Sequence, residues 1–114
     1  MIAASRHGRR GCDLAELIAS ADAYNHDIPT EAIVRRSVGR LVASGLLTIA
    51  DKRMRLSRDG RALARQAKGG MFERAPSLLR LLQRHPLREG EWDLPSGAWQ
   101  EAYERYRTKM AKYL

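Results

Sequence analysis

The chain's punctuation constrains its fold before any other feature does. Asp13, Thr30 and Ser57 each stand where a side-chain oxygen can cap a helix, while Gly45 and the pair Gly69-Gly70 stand where helices stop. Between these marks the apolar residues recur with helical spacing, so the chain reads as short elements that must share a core. Asp13-Leu14-Ala15-Glu16 has the form of a capping box, and Leu14, Leu17, Ile18 and Ala21 follow at i, i+3, i+4 and i+7. The stretch from Asp22 to Pro29 loses that stripe, contains Asn25, Asp27 and Pro29, and is predicted to be a loop. A second helix runs from Thr30 to Gly45 with Val34, Val38, Leu41 and Val42 on one face. Leu46 to Ala50 and Met54 to Leu56 then form a hairpin around Asp51-Lys52-Arg53, with Lys52 and Arg53 at its tip and Arg55 turned outward. Ser57 opens a third helix that ends at Gly69-Gly70.

Charge is distributed just as unevenly. Residues 35–68 hold ten basic and two acidic side chains, a net of +8, and the other 80 residues hold 11 of each sign. The whole excess therefore sits on the second helix, the hairpin and the third helix, and a concentration of this kind implies a polyanionic partner. On the second helix the side opposite the valines presents Ala32, Arg36, Gly39, Arg40 and Ala43, with Arg35 on the flank. Guanidinium groups reach guanine edges and phosphates, and small residues between them allow a helix to lie close in a DNA major groove. Gly39 fits this because glycine at a merely exposed helix position costs about 1 kcal/mol relative to alanine.

The order helix, loop, helix, hairpin, helix over residues 13–68 resembles the winged helix-turn-helix DNA-binding domains of bacterial transcription regulators. The resemblance rests on Leu14-Ala15-Glu16-Leu17, on Val38-Gly39-Arg40-Leu41-Val42-Ala43-Ser44-Gly45-Leu46-Leu47, and on Met54-Arg55-Leu56-Ser57-Arg58-Asp59-Gly60-Arg61. It implies a mainly α fold with a small β-hairpin that binds double-stranded DNA in transcription regulation. The Thr30–Ser44 helix would lie in the major groove through Arg35, Arg36, Gly39 and Arg40, and the wing residues Lys52, Arg53 and Arg55 would lie on backbone or minor groove. Family members usually have three helices before the wing rather than these two, and the third would be lost from the N-terminus or reduced to a turn within the loop from Asp22 to Pro29. Here only Met1-Ile2-Ala3-Ala4 and a polar stretch to Gly11 precede the two, so residues 1–70 form the winged-helix unit with that helix missing or shortened.

Residues 71–114 form a helical extension, which packs on this unit or makes a dimer contact. Leu78, Leu79, Leu81 and Leu82 cluster on a helix that Pro86 terminates, and Ser96 is positioned to cap a final helix reaching about Tyr113. On it Trp99, Tyr103, Tyr106, Met110 and Tyr113 alternate at spacings of four and three, a seam suited either to a second copy of the chain or to the chain's own leucines.

Other classes find little support. The longest uncharged apolar-rich run, Leu41 to Ala50, is far short of the roughly 20 residues of a membrane span. No signal-peptide core follows the N-terminal arginines, so a cytoplasmic location is expected. One cysteine, Cys12, allows no internal disulfide or cysteine-rich metal site, and His7, His26 and His85 lack ligand spacing. The glycines form no phosphate-binding loop, and Cys12 with His26 has no orienting third group, so neither an enzyme nor a cofactor is expected. The rival function is a winged-helix interaction module that binds an acidic protein. RNA is disfavoured because the aromatic residues lie mostly in the last helix.

Overall fold

The computed structural model describes residues 1, 4–5, 8–25, 28–69 and 71–112. These residues contain α1 (Leu14–Asn25), α2 (Glu31–Ala43), β1 (Leu47–Ala50), β2 (Arg53–Leu56), α3 (Arg58–Arg65), α4 (Met71–Arg84) and α5 (Ala98–Ala111), with a 3-10 turn at Gly8–Arg10 ahead of them. The fold is thus mainly helical with a small antiparallel hairpin, the class the sequence predicts.

The capping signals act as local chemistry requires. The Glu16 amide donates to Asp13 Oδ1 at 2.8 Å and the Asp13 amide donates to Glu16 Oε1 at 3.1 Å, closing the box reciprocally. Thr30 Oγ1 accepts from the Ile33 amide at the start of α2. At the other end the Leu46 amide bonds the Leu41 carbonyl and the Gly45 amide bonds the Val42 carbonyl, a Schellman closure with Gly45 at φ +76°. Val34 and Val38 are buried beneath α2, but Val42 at its last turn is exposed.

β1 and β2 pair from Leu47 with Leu56 to Ala50 with Arg53, so the connection is the two-residue turn Asp51-Lys52. Both of its residues are left-handed, at φ 52° and 62°, the turn geometry whose twist matches the strands. Arg53 therefore belongs to β2 rather than to the tip. Cys12 extends the sheet: its amide and carbonyl both bond Met54, at 2.8 and 2.7 Å. The thiol is almost fully enclosed, and burial pushes it up to about 11.

The two sequence motifs that bracket the hairpin meet in space. The Ser57 hydroxyl donates to the Gly45 carbonyl while accepting from the Gly60 amide, and the Ser57 amide bonds the Leu46 carbonyl. Gly60 is packed so closely on the Leu46 carbonyl that a Cβ there would collide with it. One serine thus caps α3 and joins it to the end of α2.

The second half of the chain completes the core. α5 packs along α1, and Leu94, Ala102 and Tyr106 share one buried cluster with Ile18, Val38 and Met54. The Tyr106 hydroxyl donates to Asp22, and Arg105 reaches Asp13 at 3.2 Å. That packing explains why α1 continues to Asn25 through residues whose composition predicts a loop. α5 begins at Ala98 with Gly97 at the cap position, one residue after Ser96; no side chain caps it, the Ala98 amide bonds the Pro95 carbonyl, and the first intrahelical bond runs from Glu101 to the Gly97 carbonyl. Tyr113, the expected end of this helix, lies outside the described residues.

Candidate nucleic-acid interface

α2 has one open side. Its N-terminal half presents Ala32, Ile33, Arg36 and Ser37 to solvent, and Arg36 has no side-chain partner among the described residues. The cap at Thr30 and the valines beneath fix this orientation: anchoring Val34 and Val38 in the core turns residues two positions away outward.

The C-terminal half of the same helix is flanked. Residues Arg88–Trp92 form a strap along it, held by the Arg88 amide on Ser44 Oγ at 2.7 Å and by the Trp92 amide on the Arg35 carbonyl at 2.8 Å. Gly39 is buried where the strap crosses, and a Cβ on it would collide with the backbone of Glu91. The close approach that Gly39 permits is thus made by the chain itself. Arg35 is occupied too, donating to the Trp92 carbonyl and to Glu31, both at 3.2 Å. Arg40 is half-buried, with its Nε 3.7 Å from Glu89 Oε1.

The hairpin divides its cations in a similar way. Arg53 is tied down, with Nη2 on Glu16 Oε1 at 2.9 Å and on the Gly11 carbonyl at 2.8 Å, and Nε on the Arg10 carbonyl at 2.9 Å. Arg55 is exposed beside the same Arg10 carbonyl. Lys52, at the tip, has no side-chain partner among the described residues and adopts a left-handed conformation that costs a side-chain-bearing residue roughly 1–2 kcal/mol and that glycine adopts readily.

Compared with known proteins, the chain matches no family model, no curated protein and no solved structure. Its interface must be read from its own side chains.

Arg58, Arg61 and Arg65 belong to the basic segment 35–68 but lie outside the residues that the sequence marks as a site. All three are exposed on α3, and their i, i+3, i+7 spacing was the available signal. Arg61 donates to the Leu56 carbonyl, whereas Arg58 and Arg65 have no side-chain partner among the described residues. The aromatic seam of α5 is largely spent within the chain: Tyr106 is buried, Trp99 and Tyr103 are half-buried, and Met110 is exposed. The bond to Asp22, together with burial, pushes the Tyr106 phenol up to about 12. No group of three or more metal-ligating side chains occurs among the described residues, and none of their helices is long and apolar enough to cross a membrane.

Proposed function

We propose that the chain is a double-stranded DNA-binding protein of the winged-helix kind, acting in transcription regulation. The N-terminal half of α2 enters the major groove, where Arg36 reads a base edge or a nearby phosphate. Lys52 and Arg55 on the hairpin, together with Arg58 and Arg65 on α3, contact the phosphate backbone. The observation that carries this reading is the set of exposed cations Arg36, Lys52, Arg58 and Arg65, without side-chain partners among the described residues, within a segment whose acidic residues are Asp51 and Asp59 alone. Arg35 and Arg53 contribute field and scaffolding rather than contacts, because their donors are already engaged. Ala32 and Ser37 add little bulk beside Arg36 on the open half of α2, and recognition helices place their N-terminal residues nearest the bases.

Exposed Ile33, beside Arg36, favours one second reading, an interaction module whose acidic partner also has an apolar contact. Anisotropy of random-sequence duplex DNA from 50 to 200 mM salt distinguishes the two. Several phosphate contacts reduce affinity by orders of magnitude over that range. Absence of binding at 50 mM salt rules out DNA and leaves the acidic partner.

A further inference from the structure

We propose that the cleft between α2 and α4 binds a small amphipathic monocarboxylate, with its carboxylate on Arg40 and its apolar body on Leu79 and Leu82. The cleft has a volume of about 340 Å3, at the lower end of the range for small-ligand sites. Leucines 41, 79, 82 and 87 form half of its lining, Arg40 supplies the guanidinium, and Ser37, Gln83 and His85 complete it.

Two features make this cleft incomplete as it stands. Arg40 Nε is buried without a hydrogen-bond partner among the described residues, and the carboxylate nearest to it, that of Glu89, stays 3.7 Å away with 75% of its side chain exposed. A buried guanidinium Nε lacking an acceptor is an unmet demand even on a side chain that is 36% exposed, and a carboxylate meets it with one bond to Nε and a parallel one to the neighbouring terminal nitrogen. Glu89 is free enough to swing aside. Leu79, on α4, is 57% exposed at the rim although its neighbour Leu78 is buried, so an apolar occupant would cover it. One guanidinium beside four leucines, with Ser37, Gln83 and His85 as the other polar lining, matches one negative charge on a short hydrocarbon body better than it matches a multiply charged phosphate.

The inference does not depend on DNA binding, and its test contains no DNA. Isothermal titration calorimetry of the full chain uses octanoate and 1-octanol, which share a hydrocarbon body and differ in charge. Octanoate should bind, and more tightly than octanol by about tenfold or more. Arg40→Gln should reduce octanoate to the octanol level, while Glu89→Gln should tighten it by removing the competing carboxylate. Circular dichroism checks that Arg40→Gln is folded. If it is not, Leu79→Glu at the exposed rim must weaken octanoate by a similar factor. No octanoate binding, equal affinity for the two probes, or an octanoate affinity unchanged in folded Arg40→Gln would each overturn the proposal.

Discussion

A methyl group added at Gly39 has opposite consequences on a bare helix and on one covered by the Arg88–Trp92 strap. On a bare helix, Gly39→Ala stabilises by about 1 kcal/mol through helix propensity. Beneath the strap the new Cβ meets the backbone of Glu91, which cannot rotate away as a side-chain end can. The strap must lift, and lifting it breaks the Trp92 and Arg88 amide bonds and the Arg35 bond to the Trp92 carbonyl. At about 1 kcal/mol for each of these bonds the loss is roughly 3 kcal/mol. Set against the propensity gain, the net expectation is destabilisation by about 2 kcal/mol, enough to lower the melting temperature by several degrees. Urea unfolding followed by circular dichroism measures this directly. A Gly39→Ala protein more stable than the parent would refute the strap's place over α2.

Lys52→Gly should relieve the left-handed tip and stabilise the hairpin by about 1 kcal/mol. It should also weaken DNA binding and flatten the salt slope by about one unit; a variant that gains stability and keeps full affinity would remove the wing from the interface. Arg36→Ala and Arg53→Ala should separate cleanly. The first should leave stability within about 0.5 kcal/mol while lowering DNA affinity, and the second should cost about 2 kcal/mol by removing the bonds of Arg53 to Glu16 and to the Arg10 and Gly11 carbonyls. Equal melting curves for the two would show that Arg53 is not scaffolding. Tyr106→Phe should cost about 1–2 kcal/mol at neutral pH, because it leaves Asp22 without its donor. In the parent chain the Tyr106 phenol is held up to about 12 from an ordinary value of 10.0, so its contribution is intact below pH 10 and is lost as pH rises toward 12. The alkaline fall in stability over that interval should be smaller in Tyr106→Phe, and identical pH profiles would count against the bond.

The parts of the fold that were legible in the sequence are those fixed within a few residues. Asp13, Thr30 and Ser57 cap because their acceptors lie three residues from the amides they serve, and Gly45 closes α2 by an equally local pattern. What was not legible depends on distant partners. Asp22 and Asn25 read as turn formers until Tyr106, 84 residues from Asp22, holds the helix together. Arg53 reads as a tip cation until Glu16, 37 residues earlier, is found beside it. Gly39 marks a point of close approach in the sequence, but nothing in its neighbourhood names Glu91 as the approaching group. At the candidate interface, sequence alone marked which segment is basic. Only the packing shows which of its cations are already engaged.

The packing of α5 on α1 also has a consequence for how the chain acquires its fold. α1 emerges early in synthesis with Ile18 ready to be buried, yet its partners Ala102 and Tyr106 are translated more than 80 residues later. Until then α1 has only Val34, Val38 and the hairpin residues of the shared core to cover its apolar stripe, and closing so long a loop to α5 delays the rest of the reward for ordering it. The nascent chain should therefore hold α1 loosely, open to chaperones and proteases, and become cooperative only once α5 has left the ribosome. A ribosome-bound chain stalled before Ala98 should be cleaved readily within α1, and one stalled well beyond Ala111 should resist.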